Sequence, residues 1–579
     1  MKLIRRVFPA VLLPVALASG CGEGWSWDLG AEGAPPEPVA GSEDRSSSAA
    51  VSETVGQYAW IEGLRKMNVR GYGLVLGLGE AGSTTCPRQA RSRILDQLQK
   101  RPEFSGPGAR THEWTPGRLI DHPDTAVVTI EGEIPAGAVA GSRFDVQVAA
   151  LSGTETTSLR GGFLFPADLL IHRMLSPSAA LTGRPLAEAK GPVFLNPFSD
   201  RGSAATRSAE RVGRILGGGR VTTDRRLRLV LFGPSYSKAQ AIASAINSRF
   251  PADRKVADPI SPSYIKLTVP QEHARDPAHF LKVVQHLGIG GQASLPGVRA
   301  RALAEEIVRA DADREAIALA WEGIGRTALP SISSLYAHED GGVRFFAALA
   351  GLRLGDSLAV EVLAERAADE QSEHRFAAIR ALGQAYEIPR AAVPLRALVS
   401  DDDLPVRIAA YDALTERVDP DLGTRLIGRG NFAMDLVPSD AEPMIHVKRS
   451  GSRRIAIFGR DLRCEPPLFY HHPSGALTLN AAAGDSAITV LRTWPSGTGP
   501  PLEASFDVAE LVELLGSPPP RGSRDEATGA GVEYGMVVQA LYELCETGAI
   551  RARFMLEQPS VTDLFGPLRP TGRPESELE

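Results

Sequence analysis

Apolar positions change their period twice along the chain, and the changes divide it into stretches of different architecture. Phe144, Val146 and Val148 alternate with polar neighbours, as do Leu227, Leu229 and Leu231, and Ile265, Leu267 and Val269. That pattern predicts half-buried strands. Leu74-Val75-Leu76 and Ala126 to Ile130 add two more, the first inside a glycine-rich run. Ile94, Leu95 and Leu98 recur at helical spacing, as do Ala239, Ile242, Ala243 and Ile246, and a further helix is expected around Phe280 to Leu287. Residues 57–292 thus read as βα and ββα units, small sheets covered on one face by helices.

Over 293–422 the strand patterns vanish and Ala, Leu, Arg and Glu dominate. Three segments align with one another: His338 to Asp356, Asp369 to Glu387 and Asp401 to Asp419. Their shared arginines, Arg344, Arg375 and Arg407, recur after 31 and 32 residues, each followed by small and apolar residues such as Ala347-Ala348-Leu349. A period of that size carried by paired helices marks an α-solenoid, and the pattern resembles HEAT repeats. From 423 to 558 strands return at Ile455 and Ile457, Leu477 and Leu479, and Ile488 and Val490. Helices around Val508 to Leu515 and Met536 to Leu544 come next, then a strand from Ile550 to Leu556, and a polar tail over 559–579 that reads as disordered. The fold class expected is α+β: several small α/β units split by an inserted all-α helical-repeat domain, with a β-rich C-terminal region. Repeats lodged between two halves read as a loop enlarged at the periphery, which predicts that 293–422 can be excised with the remainder still folded.

The first residues set the compartment. Lys2, Arg5 and Arg6 precede a short apolar stretch from Val7 to Leu17, then Ala18-Ser19-Gly20 lead to Cys21. Residues 1–20 read as a secretory signal too short to span a bilayer. Small residues ending on a cysteine resemble a lipobox, which would make Cys21 a lipidated N-terminus anchored at a membrane; Gly22 after it favours the outer membrane. Cleavage nearby, leaving Cys21 an ordinary thiol, is the alternative. Residues 21–56, rich in Gly, Ser, Glu, Ala and Pro, suit a flexible tether. Over 579 residues the net charge is -6 and aromatics are 6%, so neither a basic field nor a base-stacking surface points to nucleic acid.

Three patterns carry candidate chemistry. Gly77-Leu78-Gly79-Glu80-Ala81-Gly82 satisfies GxGxxG, but Cys86-Pro87 interrupts the helix a dinucleotide site needs, so turn glycines are the simpler reading. Ser235-Tyr236-Ser237-Lys238 satisfies SxxK without its companion motifs, and a helix N-cap accounts for the serine. His446, His471 and His472 near Cys464 lack the paired spacing of a zinc site. No catalytic residue, cofactor or metal is expected.

Gly71-Tyr72-Gly73-Leu74-Val75-Leu76-Gly77-Leu78-Gly79 resembles the opening signature of flagellar basal-body P-ring proteins. Ala126 to Ile130, Phe144 to Val148 and Ser158-Leu159-Arg160-Gly161-Gly162-Phe163-Leu164 come in that family's order, then Leu227 to Asn247 and Tyr264 to Leu287. After the repeats, Val447 to Leu491 and Val508 to Leu556 are similar to its later region. The resemblance implies a non-catalytic subunit of a periplasmic ring that supports the rotating rod. Its expected partners are copies of itself, the rod and the outer-membrane L ring, with peptidoglycan a further contact. Gly71, Gly73, Gly77, Gly79, Gly161 and Gly162 would act by setting backbone geometry. The family's cysteine pair implies a Cys464–Cys545 bond, although Ala549 stands where the closing cysteine belongs; positions four apart share a helix face, which would keep Cys545 in reach. Two buried thiols remain the alternative, and Cys86 is left over as a small core residue. The rival functions are an envelope lipoprotein adaptor that binds a partner through the repeats and, motivated by Ser235 and Lys238, an enzyme acting on cell-wall material.

Overall fold

The computed structural model describes residues 53–64, 66–101, 115–171, 185–195, 210–225, 227–289, 295–428, 430–494, 497–519 and 529–557. The signal stretch, Cys21, the tether up to residue 52 and the tail from 558 lie outside the described residues.

The alternating strands of the N-terminal part do not all lie in helix-covered sheets. Six of them, Met67–Leu76, Thr125–Ile134, Arg143–Ala150, Val212–Val221, Ala187–Pro192 and Phe163–Ile171, close into an antiparallel barrel. Closure is made where Met67–Leu76 pairs both Thr125–Ile134 and Phe163–Ile171. The inward residues of the alternation, among them Val128, Ile130, Val146, Val148, Leu164 and Leu169, form its core. Helix Arg88–Gln99 packs outside, setting Ile94 and Leu98 on Leu74 and Val127. The expected α/β layering holds for the remainder of this part. Strands Ala59–Glu62, Leu227–Leu231, Tyr264–Leu267 and Ala257–Pro259 form one antiparallel sheet. Helices Tyr236–Arg249 and Pro277–Gln285 bury Ile242, Ile246, Phe280 and Val284 with it.

Helices then run without an intervening strand from Pro296–Glu306 to Leu404–Arg417. Arg344, Arg375 and Arg407 each open or lie in the first turns of one helix of a pair. A fourth member of the series was hidden in the sequence: Arg314, 30 residues before Arg344, opens helix Arg314–Ile324.

The C-terminal part holds two sheets. One orders Arg425–Ile427, Phe432–Val437, Arg454–Phe458, Met444–Val447 and Arg553–Leu556; the other is built on Leu468–His471, Leu477–Ala481 and Ile488–Trp494. Helices Val508–Gly516 and Tyr534–Glu546 lie in their shared core. The α+β class with a separate helical-repeat region is therefore the architecture found.

Candidate functional site

The residues singled out by sequence serve to join parts of the molecule. The arginine series is the clearest case. The Arg314 fork grips the Asp340 carboxylate at 2.7 and 3.1 Å, and the same carboxylate accepts the N–H groups of Gly342 and Val343, capping the next helix. Arg375 donates from Nε to the Ala367 carbonyl at 3.0 Å and from a terminal nitrogen to Asp401 at 2.7 Å. Arg344 donates to the Glu339 carbonyl at 3.0 Å. Arg407 repeats the Nε contact, to the Val399 carbonyl at 3.2 Å, but no further repeat comes after it. Its terminal nitrogen donates instead to the carbonyl of Glu442 at 2.8 Å, in the loop before strand Met444–Val447. The C-terminal sheet takes the place of the next repeat.

That junction is a shared core. Val437, Met444, Ala456 and Phe458 of the sheet belong to one apolar cluster with Ile379, Leu395, Tyr411 and Leu414 of the helices. At its centre the fully buried Asp435 carboxylate accepts from Tyr411 at 2.6 Å, Thr424 at 2.6 Å and the Arg454 guanidinium at 2.6 and 2.8 Å. At the other end, Leu319 packs into the α/β core. The buried Glu322 accepts from His279 at 2.5 Å and from Arg353 at 3.1 Å. Farther along, Arg275 lies 4.4 Å over the Tyr386 ring. The repeats are thus wedged between the two flanking parts, which overturns their reading as a peripheral loop.

The glycines divide by role. A Cβ on Gly71 would meet the Asp168 carbonyl at 2.4 Å, and one on Gly73 would meet Ile130 at 2.8 Å, so both permit close strand approach in the barrel. Gly77 and Gly79 take left-handed φ values of 82° and 61°. Their amides both donate to the Asp124 carboxylate, at 3.2 and 2.5 Å. The chain's own carboxylate therefore sits where the phosphate of a dinucleotide would, and the next element is a three-residue turn, Gly79–Ala81, rather than a helix. Gly161, at φ 72°, lies at the joint between barrel and C-terminal part: a Cβ there would come within 2.8 Å of the Glu533 carboxylate. On Gly162 it would strike Val75 at 2.3 Å.

Ser235 caps helix Tyr236–Arg249 by accepting from the Lys238 amide, while the Lys238 ammonium sits 4.4 Å over the Tyr58 ring. The pair is structural in both halves. His446 is buried edge-on to Tyr411, His471 bonds Thr478 at 2.9 Å and His472 bonds Ser474 at 2.6 Å. Among the described residues no group of three or more His, Cys, Asp or Glu is placed to hold a metal.

Cys464 and Cys545 share the C-terminal core but are free thiols in the structure. Burial pushes both up to about 12, and the neighbouring Cys545 adds to the shift at Cys464. The helix-face argument for their pairing fails. The helix ends at Glu546, Gly548 turns left-handed, and Ala549 lies beyond it, its carbonyl accepting from the Glu465 amide at 2.7 Å.

Residues 55–296 match the family model of the flagellar P-ring protein, and residues 360–428 match that of HEAT repeats. Among curated relatives, flagellar P-ring protein 1 of Bradyrhizobium diazoefficiens is 30% identical over 255 residues, 42% of this chain and 62% of the relative. The flagellar P-ring protein of Rhodopseudomonas palustris strain HaA2 is 31% identical over 254 residues, with the same coverage of 42% and 62%. That of Nitrobacter winogradskyi is 31% identical over 241 residues, 40% of this chain and 58% of the relative. Residues 55–296 are thus similar to flagellar P-ring proteins. The P-ring-type part comprises the barrel and the α/β sheet, with every glycine of the two signatures. The match spans less than two thirds of these relatives' length and ends where the repeats begin.

Proposed function

We propose that this protein is a structural subunit of the flagellar basal-body P ring, a non-catalytic periplasmic component that surrounds the rod and supports its rotation. The observation that carries the reading is the match of residues 55–296 to flagellar P-ring proteins, signatures included. Subunits would assemble with copies of themselves through heterologous contacts that close a ring. The rod, the L ring and peptidoglycan would be its surroundings. Export through residues 1–20, lipidation at Cys21 and an outer-membrane anchor belong to the same proposal. So do a tether over 21–56, a P-ring-type N-terminal part over 57–292, repeats over 293–422, a P-ring-like C-terminal part over 423–558 and a tail over 559–579. Oxidation of Cys464 with Cys545 in the periplasm is included, and non-reducing mass spectrometry of the secreted protein checks it: two alkylated thiols at these positions would remove the bond from the proposal.

Deleting the gene and imaging the envelope tests the function. Loss of the periplasmic ring and of swimming, restored by the full-length protein, is the expected result. Intact rings in the deletion strain would refute it and favour the adaptor reading, for which the exposed Leu358, Phe376 and Val393 of the repeats would be the contact residues.

A further inference from the structure

Between the barrel and the C-terminal sheets lies a cleft of about 1480 Å³ whose walls carry six arginines: Arg70, Arg143, Arg214, Arg449, Arg453 and Arg454. Facing them are the carboxylates of Glu131, Glu133 and Asp145. Pairing accounts for part of this charge. Arg70 meets Glu131 at 3.2 Å, Lys66 holds Glu133 at 2.8 Å, and Arg454 is committed to Asp435. Asp145 spends its oxygens on the amides of Gly217 and Gly451, which fasten the cleft's two walls, and reaches Arg214 only at 3.9 Å. Among the described residues, Arg143, Arg449 and Arg453 have no carboxylate within ion-pair distance. Arg143 touches the Gly217 carbonyl and Arg453 the Asn431 side-chain oxygen. Burial pushes both Arg449 and Arg453 down; at Arg449 the Arg214 charge adds to the effect, and the Glu557 carboxylate, which accepts the Arg449 backbone amide at 2.7 Å, opposes it without an ion pair to the guanidinium.

Clefts at domain junctions are common binding sites. A planar guanidinium left without a carboxylate matches a bidentate oxyanion. The rest of the surface narrows the class. Phe194, Leu216 and Phe432 supply apolar wall, and the exposed Leu426 sits on Arg425–Ile427, the edge strand of its sheet. An unpaired strand edge accepts an extended peptide backbone. We propose that this cleft binds an acidic polypeptide segment with interspersed apolar residues, from a partner protein. Its carboxylates lie on Arg143, Arg214, Arg449 and Arg453, and its apolar side chains lie against Leu426 and Phe432. The site goes beyond ring assembly and does not depend on it.

The probe is a fluorescein-labelled peptide of glutamate and leucine, titrated against the purified full-length protein by anisotropy, with polyphosphate of matched charge as comparison. The protein should bind the peptide more tightly than polyphosphate, and less tightly as salt rises. R214Q/R449Q should weaken it about tenfold or more, the effect of losing charge-assisted contacts. L426S, at an exposed position where folding is not at issue, should weaken the peptide and leave polyphosphate unchanged. R309Q, remote on the repeats, should change neither. Unaltered peptide binding by both the arginine and Leu426 variants would overturn the proposal. So would polyphosphate binding as tight as the peptide's, which would make the cleft a general polyanion site.

Discussion

Excising the helical repeats should unfold what remains. The perturbation is a chain in which 293–422 is replaced by a short glycine-serine linker. The sheet that the repeats cover would then present Val437, Met444 and Phe458 to water, all at 1% exposure or less in the intact protein, with Ala456 among them. Burying one such side chain is worth about 1.5–3 kcal/mol, so three of them represent roughly 5–9 kcal/mol. Polar losses add to this. Asp435 would lose the Tyr411 hydroxyl, and Glu322 would leave with the insert, stripping His279 of its 2.5 Å partner. A whole domain is stable by only about 5–15 kcal/mol, so the loss is comparable to the total. The exposed face is also a contiguous apolar patch of the kind that aggregates.

The assay is expression of the excised chain beside the intact one, then gel filtration and urea unfolding watched by tryptophan fluorescence. The expected product is insoluble, or soluble but binding a hydrophobic dye and lacking a cooperative transition. A monodisperse product with a urea midpoint near that of the intact chain would refute the reasoning. It would mean that the flanking parts cover the face themselves and that the insert is the peripheral elaboration its position in the sequence suggests.

Three further outcomes rest on single side chains. Asp435→Asn leaves Arg454 without its buried counter-charge and should cost about 3–5 kcal/mol by urea unfolding, whereas Tyr411→Phe, which removes one hydrogen bond to the same carboxylate, should cost about 1.5–3 kcal/mol. Gly161→Ala forces a left-handed residue, a cost of about 1–2 kcal/mol, and sets a methyl against the Glu533 carboxylate. Gly475→Ala has the same φ of 72° but open space, so the difference between the two melting temperatures reports the Glu533 contact alone. Burial pushes His446 below its ordinary value, with Asp412, Lys448 and Glu557 charges nearby and the Tyr411 ring against it. The unfolded chain then binds the proton more readily. Its contribution is neutral above about pH 6.5 and becomes increasingly destabilising as pH falls below that value. His446→Leu should flatten this slope in urea melts taken from pH 7.5 to 5.5.

Local periodicity was sufficient wherever one element's own pattern decides its structure. Ile242 and Ile246 mark a buried helix face, Leu227 and Leu229 a buried strand face, and both are where the alternation puts them. Pairing partners are a different matter. Whether Phe144, Val146 and Val148 face a helix layer or a barrel interior depends on Met67–Leu76 closing onto Phe163–Ile171, a contact nearly 100 residues apart that leaves the alternation unchanged. The fourth repeat escaped for a related reason. Arg314 stands 30 residues before Arg344, close to the 31- and 32-residue steps that follow, and Asp313 caps its helix as Asp340 does for the next. The residues after it, Glu315 to Trp321, hold as many alanines as the other runs but lack the adjacent Ala-Ala pair by which the others align. Most instructive is the surface under the repeats. Val437, Met444, Ala456 and Phe458 read only as one face of a sheet that must be covered, and no periodicity names the cover. Arg407 holds the missing clue. It has the repeat's arginine and the repeat's Nε contact, but no fifth aspartate-led segment comes after it to receive its other nitrogens. A buried guanidinium at the end of such a series must find acceptors elsewhere. Here it finds the Glu442 carbonyl, which makes the end of the repeats and the start of the sheet one structure rather than two.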